Sequence, residues 1–285
     1  MNRDVKIVVI WPYNKIGVFD SGIGGFSVLG ALRRLLPCCD YYYLADSGNL
    51  PYGSKTREEI REYSIRNVRF FNSLNVDCVF VACNTSASSA MDLIEAYSNF
   101  PVYNILDVAA YGIKNISVNR EDKYTLIATE RTIEDGVYIK IMEEAFGTDR
   151  VKYFPTPELV DIIEKNYNRK DVLADSVYKV FKNIDIDMES NLILGCTHYP
   201  FLLKEINKFW KGEIINPSEF FPDYINSRFK TDKESCEYRD GEIIAYTSGK
   251  VSEMYLKLRH LSIDYVKDVN YVQLENYSLR RKINV

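Results

Sequence analysis

The chain has 285 residues, 46% of them hydrophobic, enough to bury a substantial core in one large α/β domain or two compact ones. Its 36 basic and 40 acidic residues are interspersed and leave a formal charge of -4, so nucleic acid and anionic membrane surfaces are not expected partners. The longest apolar stretches, such as residues 76–82, fall far short of the ~20 residues that span a bilayer.

Residues 1–6 lead into the brief run Ile7-Val8-Val9-Ile10, without the longer apolar core and small-residue cleavage site of a secretion signal. A cytoplasmic location is the expectation. The six cysteines, at positions 38, 39, 78, 83, 196 and 236, follow no regular disulfide spacing, so free thiols are expected by default. Runs rich in Val, Ile, Phe and Tyr predict strands at 5–10, 16–19, 41–45, 76–82, 101–106, 124–128, 151–154, 191–195, 213–215, 242–246 and 264–271. Amphipathic segments fill most of the gaps, the pattern of an α/β fold with largely parallel sheets. The clearest helix runs from Thr56 to Asn75: Thr56 can cap it, Glu59 stands three residues on, and Ile60, Tyr63, Phe70, Phe71 and Leu74 share one face.

One feature recurs. A buried-looking strand ends in a cysteine and a polar residue at Val81-Ala82-Cys83-Asn84-Thr85 and again at Leu194-Gly195-Cys196-Thr197-His198, as if the halves were degenerate copies. Ligands collect at the carboxyl ends of such strands, so two facing ends would form a cleft between domains. The expected boundaries lie near 107 and 217, giving one domain from 1–107 plus 218–285 and a second from 108–217. Two thiols could be the opposed acid and base that remove an α-proton from one face of an amino acid and return one to the other. The plain alternative for Cys83 is a small core residue. His198 could serve Cys196 or be a structural histidine, whereas His260 has no such neighbours and reads as structural. Cys196-Thr197-His198 is too tight for the usual zinc spacings, so no metal is expected. Residues 17–27 read as a strand, a glycine-rich turn and a helix start that offers N–H groups to an anion, without the spacing of a nucleotide-binding loop. Asp20, at that strand's end, could orient an ammonium group, assist a thiol or simply cap the turn. Pro51-Tyr52-Gly53-Ser54 is most simply a turn.

Together, residues 17–25, Pro51-Tyr52-Gly53, residues 82–85 and residues 194–200 resemble the glutamate racemase family, with weaker similarity at 128–133, 157–164 and 246–249. The resemblance implies two pseudo-symmetric α/β domains with the site between them, a homodimer, no cofactor, and interconversion of L- and D-glutamate for a peptidoglycan-type wall. It implies Cys83 and Cys196 as the two acid/base thiols, with Asp20 assisting near Cys83, and Glu164 and His198 near Cys196. Substrate contacts implied are Ser21, Pro51, Tyr52, Gly53, Asn84, Thr85, Thr129, Thr132 and Thr197. Three positions depart from the family pattern: Asn49 where arginine is usual, Asp135 where serine is usual, and Asp107 where glutamate is frequent. The first two could alter substrate preference. Residues 1–15 have no family counterpart. Competing readings are an aspartate racemase of the same superfamily, a non-catalytic binder of acidic amino acids, and a cysteine hydrolase built on Cys196 and His198, which leaves Cys83 unexplained. A pyridoxal enzyme would need a lysine that nothing marks.

Overall fold

The computed structural model describes residues 9–116, 119, 121–166, 169–230 and 240–278. Residues 5–8 of the first expected strand and Cys236 lie outside this set. Chain order begins with β1 (Val9–Ile10), β2 (Lys15–Asp20), α1 (Phe26–Leu35), β3 (Asp40–Ala45), α2 (Arg57–Leu74), β4 (Cys78–Val81), α3 (Asn84–Tyr97), β5 (Val102–Asn104) and α4 (Ile105–Asn115). It continues through β6 (Tyr124–Ala128), α5 (Glu130–Glu134), α6 (Val137–Phe146), β7 (Val151–Pro155), α7 (Glu158–Asn166), α8 (Lys170–Lys182), β8 (Asn191–Gly195), α9 (Leu203–Ile206) and β9 (Ile214–Ile215). The last elements are α10 (Phe221–Asn226), β10 (Phe229–Lys230), β11 (Ile243–Thr247), α11 (Val251–His260) and β12 (Asp268–Tyr271).

Two α/β domains result. One sheet has the order β12-β11-β3-β2-β4-β5, the other β7-β6-β8-β9, and every described strand pair is parallel. The segment β3-β2-β4-β5 of the larger sheet repeats the order β7-β6-β8-β9 of the smaller, so the recurrence of a cysteine at a strand end is a repeat of topology. In each repeat the chain runs from the first strand to one side and then crosses to the other. The crevice between β2 and β4 is therefore equivalent to that between β6 and β8, the place where ligands collect in open parallel sheets. Cys83 follows β4 and Cys196 follows β8. The strands between them are buried on both faces: Val79, Phe80 and Val81, like Leu192 and Ile193, are fully enclosed.

Local sequence explains most boundaries. Thr56 caps α2 by accepting from the Glu59 N–H while the Glu59 carboxylate accepts from the Thr56 N–H, and the helix stops where Asn75 turns left-handed at φ 51°. Its buried face contains Ile60, Phe70 and Phe71 together with Ser64, Asn67 and Val68, while Tyr63 and Leu74 lie at its edge. The expected strand at 101–106 is cut short at Asn104, which caps α4 by accepting from the Asp107 N–H and donating to the Asp107 carboxylate. Asp107 is thus a helix-start residue. The expected strand at 264–271 contracts to β12, and β10, pairing with β1 in a separate two-stranded sheet, has no counterpart among the expected strands. Free thiols were the expectation, and Cys39, Cys78, Cys83 and Cys196 are free, but Cys38 is disulfide-bonded. Irregular spacing argues against a disulfide framework and leaves room for a single bridge. Among the described residues no helix is long and apolar enough to cross a membrane.

Candidate active site

The carboxyl ends of the two sheets meet around a small, largely closed cavity of about 20 Å³, room for about one water molecule. Its lining unites eleven of the fourteen residues singled out from the sequence: Ser21, Pro51, Tyr52, Gly53, Cys83, Asn84, Thr85, Thr129, Cys196, Thr197 and His198. Val160 of α7 completes it and was not foreseen, being one apolar residue among many in an amphipathic helix. Asp20, Thr132 and Glu164 stand behind this lining and bond to it.

Cys83 is itself the cap of α3, its Sγ accepting from the Ser86 N–H at 3.5 Å, so the helix starts at Asn84. Its thiol points to Ser21 Oγ at 3.9 Å. Burial, reinforced by the nearby Asp20 charge, pushes the Cys83 thiol up to about 12, so Cys83 is a thiol at neutral pH. Asp20 is fully buried, accepting from the Gly22 N–H at 3.0 Å and from Thr197 Oγ1 of the other domain at 2.9 Å. Its carboxyl is raised by burial, against the lowering pull of His198 and of these hydrogen bonds.

The Cys196 side is built differently. His198 Nδ1 lies 3.9 Å from Cys196 Sγ, and its Nε2 lies 2.7 Å from Glu164 Oε1. The other carboxylate oxygen accepts from Lys257 Nζ at 2.5 Å. Burial works against charge on both members of the pair. Hydrogen bonds and charges outweigh it, holding Glu164 down at about 2 and His198 well above the ordinary histidine range. Glu164 is therefore an anion and His198 an imidazolium facing Cys196. Lys257, on α11, has no distinguishing mark in the sequence, where it reads as one of several lysines and arginines on a solvated helix face.

The glycine-rich turn serves this arrangement by being small. A Cβ at Gly24 would lie 2.4 Å from both His198 Nδ1 and Thr197 Oγ1, and one at Gly22 would lie 2.5 Å from Glu164 Oε1. The N–H groups of Gly22 and Ile23, read from the sequence as available to an anion, are directed at Asp20 and Glu164. Gly53 similarly lets the Pro51-Tyr52-Gly53 turn approach Thr129, since a Cβ there would lie 2.6 Å from Thr129 Cβ.

Other expected contacts separate into two groups. Thr85, Thr129 and Thr132 form a hydroxyl triangle across the cleft, with edges of 3.0, 3.3 and 2.9 Å. Asn84 has a buried Oδ1 without a protein partner. The Tyr52 phenol, by contrast, has its bonds satisfied within the protein, donating to Asp46 at 2.5 Å and accepting from Asn67 at 3.2 Å. Asn49 also serves Asp46, donating to both carboxylate oxygens at 3.0 Å. Asp135 accepts from Ser89 and faces Arg57 at 3.8 Å, outside the lining. Neither Asn49 nor Asp135 is among the residues lining the cavity. His260 is exposed in the last turn of α11. Among the described residues no group of three or more His, Cys, Asp or Glu could hold a metal ion.

A glutamate racemase of Clostridium novyi is 34% identical over 201 residues, covering 70% of this chain and 76% of that protein. Another, from Carboxydothermus hydrogenoformans, is 32% identical over 235 residues, covering 82% and 86%. The chain belongs to the glutamate racemase family. A solved glutamate racemase from Campylobacter jejuni superposes with this family member at a TM-score of 0.78 and 28% identity, covering 88% of this chain and 99% of that one. No family model matches the chain.

Proposed function

We propose that this protein racemises glutamate without a cofactor, Cys83 and Cys196 exchanging the α-proton on opposite faces of the substrate. The observation that carries the reading is the pairing of two buried free thiols from equivalent strand ends of two domains around one cavity, amid hydroxyl and amide groups suited to carboxylates. For one enantiomer, Cys196 as thiolate takes the α-proton; the electron pair left at Cα delocalises into the α-carboxylate, and the Cys83 thiol delivers its proton to the opposite face. The thiols end with exchanged protonation and reset through solvent. For the other enantiomer the roles reverse. His198, as imidazolium, stabilises the Cys196 thiolate, and Glu164 keeps the ring oriented and charged. The threonine triangle can turn its donors onto a carboxylate, and the free Asn84 Oδ1 can accept from an ammonium group.

We further infer domain boundaries near 107 and 217, which fall in the first turn of α4 and just before α10, a homodimer in the cytoplasm, and a role in supplying D-glutamate for a peptidoglycan-type wall. The direct test is incubation of purified, cofactor-free protein with L-glutamate and, separately, L-aspartate, following optical rotation. Inversion of glutamate in preference to aspartate is expected. Inversion of aspartate alone would reassign the substrate, and binding without inversion of either would favour a sensor.

A further inference from the structure

Glu164 uses its two oxygens for two different elements. Oε1 holds His198, in its own domain, and accepts a longer bond of 3.4 Å from the Ile23 N–H of the other, while Oε2 holds Lys257, whose helix α11 lies between β11 and β12 of the larger sheet. The carboxylate is 5% exposed and the lysine side chain 13%, so this ion pair is a largely buried bond between domains, at the edge of a second cavity of about 420 Å³. We propose that Lys257 is a positioning residue for the reaction, binding Glu164 across the interface so that the Cys196–His198–Glu164 relay is held in its charged arrangement only when the domains are together. The inference rests on the reading of Cys196 as an acid/base thiol.

The surrounding charges leave this role to Lys257. On α7, Lys165 pairs with Asp161 at 3.1 Å, and Lys250, just before α11, pairs with Glu253 at 2.8 Å. From the larger sheet Asp20 and Tyr43 face Glu164, one adding negative charge and the other a neutral phenol that donates to the Gly22 carbonyl at 2.6 Å. Without Lys257, a buried carboxylate would keep His198 as its one bonded cation among the described residues. It would then take up a proton at higher pH, releasing the imidazole from its charged orientation. A latch that merely held the domains together would change substrate affinity and stability and leave that titration where it was.

The experiment compares wild type, Lys257→Met and Lys257→Arg by steady-state kinetics against pH and by NMR of ¹⁵N-histidine-labelled, ligand-free protein, whose two histidines give a simple spectrum. In Lys257→Met, kcat is expected to fall about tenfold or more with KM changed less than about threefold, within the range of acid/base assistance. Both the acid limb of kcat and the acidic inflection of the His198 shift are expected to move up by about one pH unit or more. Lys257→Arg is expected to restore them. A Lys257→Met protein with wild-type acid limb and His198 profile, or one altered in KM alone, would overturn the inference. If the wild type fails to racemise glutamate, the proposed function falls, and the His198 profile still decides the role of Lys257.

Discussion

The two halves of the site share a topology and differ in how they control a thiol. Cys83 sits on the N-terminus of α3, a helix of 14 residues, with Ser21 as its side-chain neighbour and burial keeping it protonated. Cys196 leads into a single turn at Tyr199–Leu202 and depends on a chain of charged side chains, His198, Glu164 and Lys257. Equivalent strand ends thus place equivalent sulfurs, while their surroundings differ: burial dominates at Cys83, and ionised side chains line up beside Cys196. Because enantiomers are equal in free energy, racemisation has the same kcat/KM in both directions, so a kinetic asymmetry between the halves can be read only from kcat and KM taken separately.

The largest expected effect tests whether both halves are needed. Cys83→Ser and Cys196→Ser should each lower racemisation by at least about 10³-fold, since a hydroxyl is a far weaker acid than a thiol; near-normal turnover by either variant would break the two-thiol pairing. His198→Asn should cost about 10²-fold in kcat, measured from each enantiomer, whereas Ser21→Ala, removing the side-chain neighbour of Cys83, should cost less than about tenfold. Equal losses would erase the distinction between a thiol flanked by ionised side chains and one governed by burial. Gly24→Ala lies between them: its methyl would displace His198 and Thr197, so kcat should drop by about tenfold or more with little change in the secondary structure seen by circular dichroism.

The smallest effect is on stability against pH. Glu164 titrates at about 2 in the fold against an ordinary 4.5, so its contribution is present above pH 4.5 and lost as pH falls from there toward 2. His198 is raised, so its contribution is full below pH 6.5 and lost as pH rises through its elevated value. Urea midpoints should accordingly fall more steeply between pH 5 and 3 in wild type than in Glu164→Gln.

What the sequence disclosed follows from which constraints are local. Strand ends, the Thr56 cap and the two cysteine blocks are written in neighbouring residues, so the sheets and most of the cavity lining were legible. The glycines around Ser21 were legible as a turn, but their reason, the approach of His198 and Glu164 from residues 140 to 175 positions away, exists only in three dimensions. Lys257 was hidden because a lysine that reaches a buried carboxylate has the same local sequence as one that reaches water. The partner of the Tyr52 phenol was hidden for the same cause: Asp46 lies at the end of a neighbouring strand. Asn104 outweighed the β-propensity of its surroundings because a satisfied helix cap forms within three residues.

The most direct measurement is the fate of the α-hydrogen in deuterated water, starting from each enantiomer and stopped at low conversion. Two opposed thiols should put solvent deuterium at the α-carbon of nearly every product molecule while the unreacted substrate keeps its protium. Deuterium accumulating in substrate as fast as in product, or protium carried over into product, would mean that a single group serves both faces and would contradict the pairing of Cys83 with Cys196.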